Sequence, residues 1–264
     1  VQADLKAFLR QLYEVLVQKQ ELINRTKRQD QIVKYAKEIE KHRAKLDQEL
    51  EDVSAPMNSA HVATVCQKVF PKDSVLVLDG GNTTIWGNFY TQIRQPGSVL
   101  STYKFGMLGA GIAQALGAAV ARPQAPVCCI IGDGAMGFHP QEIETAVRNN
   151  LQVIYLVVCD KQWGMVKMNQ QFALRPIKTL IKKSLDPDET INADLGEIEF
   201  DKLAQSMGAY GERVSHPDDL QPALERALET KRCSVIHIDV NQVKHMWAPG
   251  LKYFKDMHTE PSGR

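Results

Sequence analysis

The sequence predicts an α/β fold, a doubly wound and mainly parallel sheet, preceded by an N-terminal helical linker segment. Three observations predict it. From Pro56 onward, short β-branched runs alternate with helical patterns, the order that builds a parallel sheet with helices on both faces. Two of those runs end in a turn that carries an aspartate and, within four residues, a glycine, at the strand end where open α/β sheets bind ligands. Before Pro56 the apolar residues recur only at helical spacing.

In chain order, Leu5, Phe8, Leu9, Leu12 and Leu16 form one apolar stripe behind Asp4, a good N-cap residue. After a polar break, Ile32, Ala36, Ile39, Leu46 and Leu50 form a second stripe, interrupted by Arg43 and dense in charge elsewhere. It is too short and impure for a coiled coil, and a linker helix packed on a domain surface is expected. Ser74–Leu78, Val127–Ile131, Val153–Val158 and Val235–Asp239 are the clearest strands, with crossover helices expected over Gly106–Ala121 and Pro140–Asn150. Arg175–Glu199, rich in Pro, Lys, Asp and Glu, reads as a mobile loop or lid. The tail from Gln242 to Arg264 carries His245, Trp247, Tyr253, Phe254 and His258 without periodicity, and is expected to cover a neighbouring surface.

Composition narrows the function classes. The 264 residues are 44% hydrophobic, enough for one large domain and an appendage. Lys plus Arg at 32 nearly cancels Asp plus Glu at 31, so no net field draws nucleic acid or anionic membrane, and neither is expected as a partner. No stretch approaches the roughly 20 apolar residues of a membrane helix, and no basic-then-apolar leader opens the chain. Cys66, Cys128, Cys129, Cys159 and Cys233 form an odd set without zinc-type pairing. They suit buried thiols in a cytoplasmic or other reducing compartment. The first residue is Val1, and the sequence reads as a piece of something longer.

The chemistry concentrates in two turns. Val127–Ile131 runs into Gly132, Asp133, Gly134, Ala135 and Met136, and Val153–Val158 runs into Cys159, Asp160, Lys161, Gln162, Trp163, Gly164 and Met165. Glycines let backbone N–H groups approach an anion closely. The 27 positions between Asp133 and Asp160 equal one turn, one crossover helix and one strand, so neighbouring strands would bring the carboxylates together. Two carboxylates near phosphate call for a cation. Asp133, Asp160 and a backbone carbonyl near Gln162 suit magnesium diphosphate, because magnesium takes a few hard oxygens and completes its shell with phosphate and water.

GDGAMGF followed by CDKQWGM resembles the magnesium-diphosphate signature of thiamine-diphosphate (ThDP) enzymes, in particular acetolactate synthases and related 2-keto acid decarboxylases and carboligases. LDGGNTTIW, from Leu78 to Trp86, and FGMLGAGIAQALGAA, from Phe105 to Ala119, resemble two further segments of that family. The resemblance implies the ThDP-binding fold, with ThDP and Mg2+ as cofactors. It places Asn82 and Thr83 against the diphosphate, the Gly106 carbonyl on the aminopyrimidine and Leu108 as a wedge that bends the cofactor. Gly132, Asp133, Gly134, Ala135, Met136, Asp160, Gln162, Trp163, Gly164 and Met165 complete the implied cofactor-binding set, and Asp133, Asp160 and Gln162 the metal ligands. It also divides the chain into 1–54, the helical end of a central domain plus linker, and 55–264, the diphosphate-binding domain with its tail.

Several positions depart from the pattern. Asp160 stands where the family has asparagine, so the site is more negative; repulsion across a solvent-open strand end is expected to fade in salt. Lys161 either softens that charge or points to solvent, and Trp163 either lines a substrate channel or packs beneath the turn. His139 reads as a surface residue or a substrate contact, and Glu142 and Glu144 as the solvated or capping face of a helix. In the family, a glutamate on a separate pyrimidine-binding domain activates the cofactor, and nothing here matches that domain. The chain therefore supplies no assignable catalytic acid or base. The implied partners are a pyrimidine-binding domain, from more of the chain or another subunit, a further copy in a homo-oligomer, and a small-molecule 2-keto acid or acyl-CoA-type substrate. The competing reading is a ThDP-fold binding or regulatory module without chemistry. A nucleotide-dependent oxidoreductase is disfavoured, because no G-x-G-x-x-G follows a strand.

Overall fold

The computed structural model describes residues 3–102 and 105–251. Packing divides the chain into two units, Val1–Gln48 and Glu49–Arg264. The first holds α1 (Leu5–Gln18) and α2 (Arg25–Asp47). Asp4 and Asn24 cap them, each side chain accepting from a backbone N–H three residues on, at 2.8 Å. Both stripes lie on helices as expected, but none of the described residues from 3 to 48 is buried.

The second unit runs in order through α3 (Ala60–Val69), β1 (Val75–Asp79), α4 (Asn82–Tyr90), β2 (Val99–Leu100) and α5 (Ala110–Ala121). It continues with β3 (Val127–Gly132), α6 (Asp133–Met136), α7 (Glu142–Arg148), β4 (Val153–Cys159), α8 (Gly164–Leu174) and α9 (Pro176–Lys182). It closes with α10 (Phe200–Ser206), β5 (Tyr210–Val214), α11 (Pro217–Glu229), β6 (Ser234–Asp239) and α12 (Gln242–Met246).

Among the described residues these strands form one sheet in the order β2-β1-β3-β4-β6-β5, parallel throughout. The expected doubly wound sheet is present. Val75, Val77, Cys129, Ile131, Tyr155 and Val157 face α5, α7 and α10. On the other face Cys128 meets Cys66 of α3, and Leu78 lies against Gly87 of α4. From β1 the chain leaves for the edge and returns beyond β1 to β3, so the winding reverses between those two strands. That is where ligands of such sheets bind. Register places Asp79 opposite Ile131, Gly132 opposite Val158 and Cys159 opposite Asp239, so the strand ends form one rim.

Four expectations change. Two strands escaped the sequence reading: β2 is only two residues long, and β5 carries Glu212 and Arg213 at the sheet edge. The helix expected from Gly106 begins at Ala110, because Gly106 (φ 60°) and Gly109 (φ 85°) hold left-handed conformations that a helix cannot contain. Arg175–Glu199 is folded onto the unit: α9 and a 3-10 turn at Pro187–Glu189 direct the charges outward while Thr179, Leu185 and Ala193 are buried. The tail begins with α12, whose His245 and Met246 are buried in the chain's own core. Tyr253, Phe254 and His258 lie outside the described residues.

Candidate functional site

Asp133 opens α6 directly after β3. One carboxylate oxygen accepts from Gly134 N and the other from Lys161 N, both at 2.7 Å, so this side chain ties the β3 turn to the β4 turn. Lys161 reaches that geometry in a left-handed conformation (φ 56°). Its ammonium pairs instead with Glu197, at 3.1 Å, so its contribution to the carboxylates is its backbone N–H. Asp160 accepts from Gln162 Nε2 at 3.0 Å, and the same amide donates to the Gln242 carbonyl at 3.0 Å. The Gln162 side chain thus acts as a donor. The strand-like bridge from this turn to Asp194 runs through Lys161 O and Trp163 N and does not use the Gln162 carbonyl.

Both aspartates are buried, which corrects the solvent-open expectation. Burial raises the Asp133 carboxyl above its ordinary range. Asp160 is pushed up well beyond that range, first by burial and second by Asp133. Salt screens a buried pair poorly, so a bound cation is the effective way to relieve it.

The opposite wall is the N-terminus of α4. Asn82 is its first residue, 4% exposed, and among the described residues neither Oδ1 nor Nδ2 has a hydrogen-bond partner. A buried amide left unpaired costs about 1–3 kcal/mol. Across from it, a Cβ added at Gly164 would lie 2.7 Å from Asn82 Nδ2 and 3.2 Å from Asp160 Oδ2. Glycine lets the main chain pass this close to an unpartnered amide and a buried carboxylate. Thr83 Oγ1 sits 3.2 Å from His245 Nε2, and a Cβ added at Gly132 would lie 3.0 Å from that hydroxyl. These residues fit a metal-bridged diphosphate, with acceptors for the cation and donors for the phosphates.

Two cavities flank this centre. One of about 280 Å³ gathers Gly106, Leu108 and Met165 with Asp79, Gly80, Gly81 and Thr84. The other, about 500 Å³, is lined by Asp133, Gly134, Phe138, Lys161, Trp163, Glu197 and His237. Trp163 both lines a cavity and packs against the turn. It lines the larger cavity, and its ring packs so closely on Gly134 that a Cβ there would fall 2.6 Å away. Ala135 and Met136 belong to the hydrophobic core, leaving their main chain to the turn. His139 is exposed, and Glu144 is also exposed and pairs with Arg148 at 3.1 Å.

Sequence reasoning passed over three features. Asp79 accepts from Gly111 N at 2.7 Å and Gly80 N at 2.6 Å, fixing where α5 starts and hence the loop carrying Gly106 and Leu108. The signal was present, since LDGG repeats the carboxylate-glycine turn of GDG. His245 gave none. Glu197, His237 and Asp239 bring ligand atoms within 4.8 Å of one another, but Arg213 binds both carboxylates, at 2.6 to 2.8 Å, and Lys161 pairs with Glu197 as well, so two cations already balance the two carboxylates.

Comparison with known proteins places the chain in a family. Residues 79–238 match the model of the thiamine pyrophosphate enzymes' C-terminal TPP binding domain, a span that contains the turns of β1, β3 and β4. The chain belongs to the thiamine pyrophosphate enzymes. An acetolactate synthase large subunit of Mycobacterium tuberculosis is 31% identical over 191 residues, which are 72% of this chain and 32% of that protein. The 2-hydroxyacyl-CoA lyase 2 of Bos taurus is 30% identical over 182 residues, 69% of this chain and 27% of its own. The crystal structure of benzoylformate decarboxylase from Polynucleobacter necessarius superimposes with a TM-score of 0.59 at 26% identity, covering 71% of this chain and 34% of that one. This ThDP-binding domain thus corresponds to about a third of the length of such enzymes.

Proposed function

We propose that the chain binds Mg2+–ThDP across the rim of β1, β3 and β4, as the diphosphate-binding part of a carboligase or decarboxylase acting on a 2-keto acid or acyl-CoA-type substrate. One observation carries this reading: the buried Asn82 amide, without a partner among the described residues, lies against Gly164 beside the buried Asp160, so close that a Cβ there would clash with it. Asp133, Asp160 and the Gln162 carbonyl would hold the metal. Asn82, Thr83, Gly132, Gly134, the main chain of Ala135 and Met136, and Trp163 to Met165 would surround the diphosphate. Gly106 and Leu108 would take the aminopyrimidine in the smaller cavity.

When bound, ThDP supplies the carbon nucleophile of the reaction. This chain's residues position it and exclude water. The buried carboxylates would hold the cation, and the Asp133 bonds to Gly134 and Lys161 keep two turns at fixed spacing. Residues 1–54 are read as the helical end of a preceding domain and its linker, and the partner that completes the site as a pyrimidine-binding domain. Calorimetry tests the reading. ThDP is expected to bind in the presence of Mg2+ and to lose binding in chelator or in Asp133→Ala. Equal affinity with and without chelator refutes the metal assignment.

A further inference from the structure

We propose that α12 is the positioning element of the diphosphate site, and that His245 acts on the cofactor through the hydroxyl of Thr83. The inference rests on the diphosphate reading above and assigns a role to a residue outside the two glycine turns.

The five-residue α12 reaches two separate site turns. On the α4 side, His245 Nε2 lies 3.2 Å from Thr83 Oγ1, and the His245 carbonyl accepts from Trp86 Nε1 at 2.8 Å. On the β4 side, the Gln242 carbonyl accepts from the Gln162 amide that also serves Asp160. The helix is itself fixed. Asn241 caps it through Lys244 N at 3.0 Å and donates its own N–H to Met57 O at 3.0 Å, and Met246 Sδ accepts from Gln171 Nε2 at 3.3 Å. Displacing α12 would release both turns.

Proton bookkeeping at His245 gives the contact a direction. The ring is 2% exposed, and burial holds it neutral, so it carries one N–H for two hydroxyl partners. Nδ1 lies 2.7 Å from Ser59 Oγ. The short contact suits a hydroxyl donating to Nδ1, and the 3.2 Å contact at Nε2 suits a ring N–H donating to a hydroxyl, since O–H donors make shorter bonds than N–H donors. The ring proton then sits on Nε2 and donates to Thr83 Oγ1. Thr83 keeps its own proton, which is free to donate to a phosphate oxygen. The opposite tautomer would take that proton and present the diphosphate with a lone pair.

Substitutions separate the two ring nitrogens. Glutamine places its amide near the Nε2 position and asparagine near Nδ1. In the full 264-residue chain, titrated with Mg2+–ThDP by calorimetry, His245→Gln is expected to bind within about threefold of wild type. His245→Asn and Thr83→Val are each expected to bind about tenfold more weakly, the size of one lost hydrogen bond. In the Thr83→Val background, His245→Asn should cost nothing further. Thermal midpoints are measured in parallel, and the affinity order should not follow them. Equal affinities for Gln and Asn, losses that track the midpoints, or an Asn effect that persists without the Thr83 hydroxyl each overturn the inference. Wild-type protein that fails to bind Mg2+–ThDP overturns the diphosphate reading and this inference together. Should the His245 variants not fold, Ser59→Ala frees the other tautomer and is expected to weaken binding severalfold; unchanged affinity overturns the proposal.

Discussion

Asp160 is the residue at which this chain's chemistry departs from the asparagine its family resemblance implies, and its surroundings set the consequence. Burial and the neighbouring Asp133 both oppose its charge, so without metal the site works against folding. Asp160→Asn is expected to stabilise the chelated protein by about 1 kcal/mol, about one pKa unit of interaction. Because the pair is buried, the gain should persist in high salt. Melts in chelator at low and high salt check this, and a less stable variant refutes it.

Burial shifts His245 in the opposite direction and gives a pH prediction. Its pKa is lowered from 6.5 to about 3 by burial, so the unfolded chain takes up a proton that the native ring refuses. The stability this ring confers is complete above pH 6.5 and is lost as pH falls toward 3. Relative to His245→Gln, wild type should lose about 1 kcal/mol between pH 7 and 5.5. Urea unfolding at the two values measures the difference, and a constant gap means the native ring takes up its proton as readily as the unfolded chain does.

At the scale of elements, glycines decide how closely helices meet the sheet. Gly111 lets α5 start against Asp79, since a Cβ there would lie 2.5 Å from the Asp79 Cβ. Gly211 does the same for α10 on β5, where a Cβ would come within 2.1 Å of the Asp201 carbonyl oxygen. Backbone cannot yield as a side chain can. Gly211→Ala is therefore expected to cost about 3 kcal/mol, the upper range for overpacking, and to lower the melting midpoint while leaving Mg2+–ThDP affinity unchanged below the transition. Altered affinity in folded protein would mean the sheet edge communicates with the rim.

For the whole molecule, the chain aligns with 32% of the length of an acetolactate synthase large subunit and contributes no assigned acid or base. The purified 264-residue chain is expected to turn over no pyruvate, and to gain activity when a pyrimidine-binding domain is supplied. Turnover by the chain alone refutes this division of labour. Among the described residues no helix is long and apolar enough to cross a membrane.

The sequence by itself determined the parallel α/β sheet and the two carboxylate-glycine turns. Strand alternation and strand-end glycines are local, and each leaves its mark within a few residues. It also carried the resemblance that marks Asn82, Thr83, Gly106 and Leu108. The folding of Arg175–Glu199 was not legible, because its few buried residues are scattered among charges and gain their partners only across the fold. Only tertiary structure decided that Asp160 is buried, that Lys161 turns to Glu197 and that His245 stands behind Thr83. The last pair is separated by 162 positions, and Ser59 and His245 by 186. No spacing rule spans such distances, since they are set by which strands become neighbours and by how far each helix overhangs the sheet.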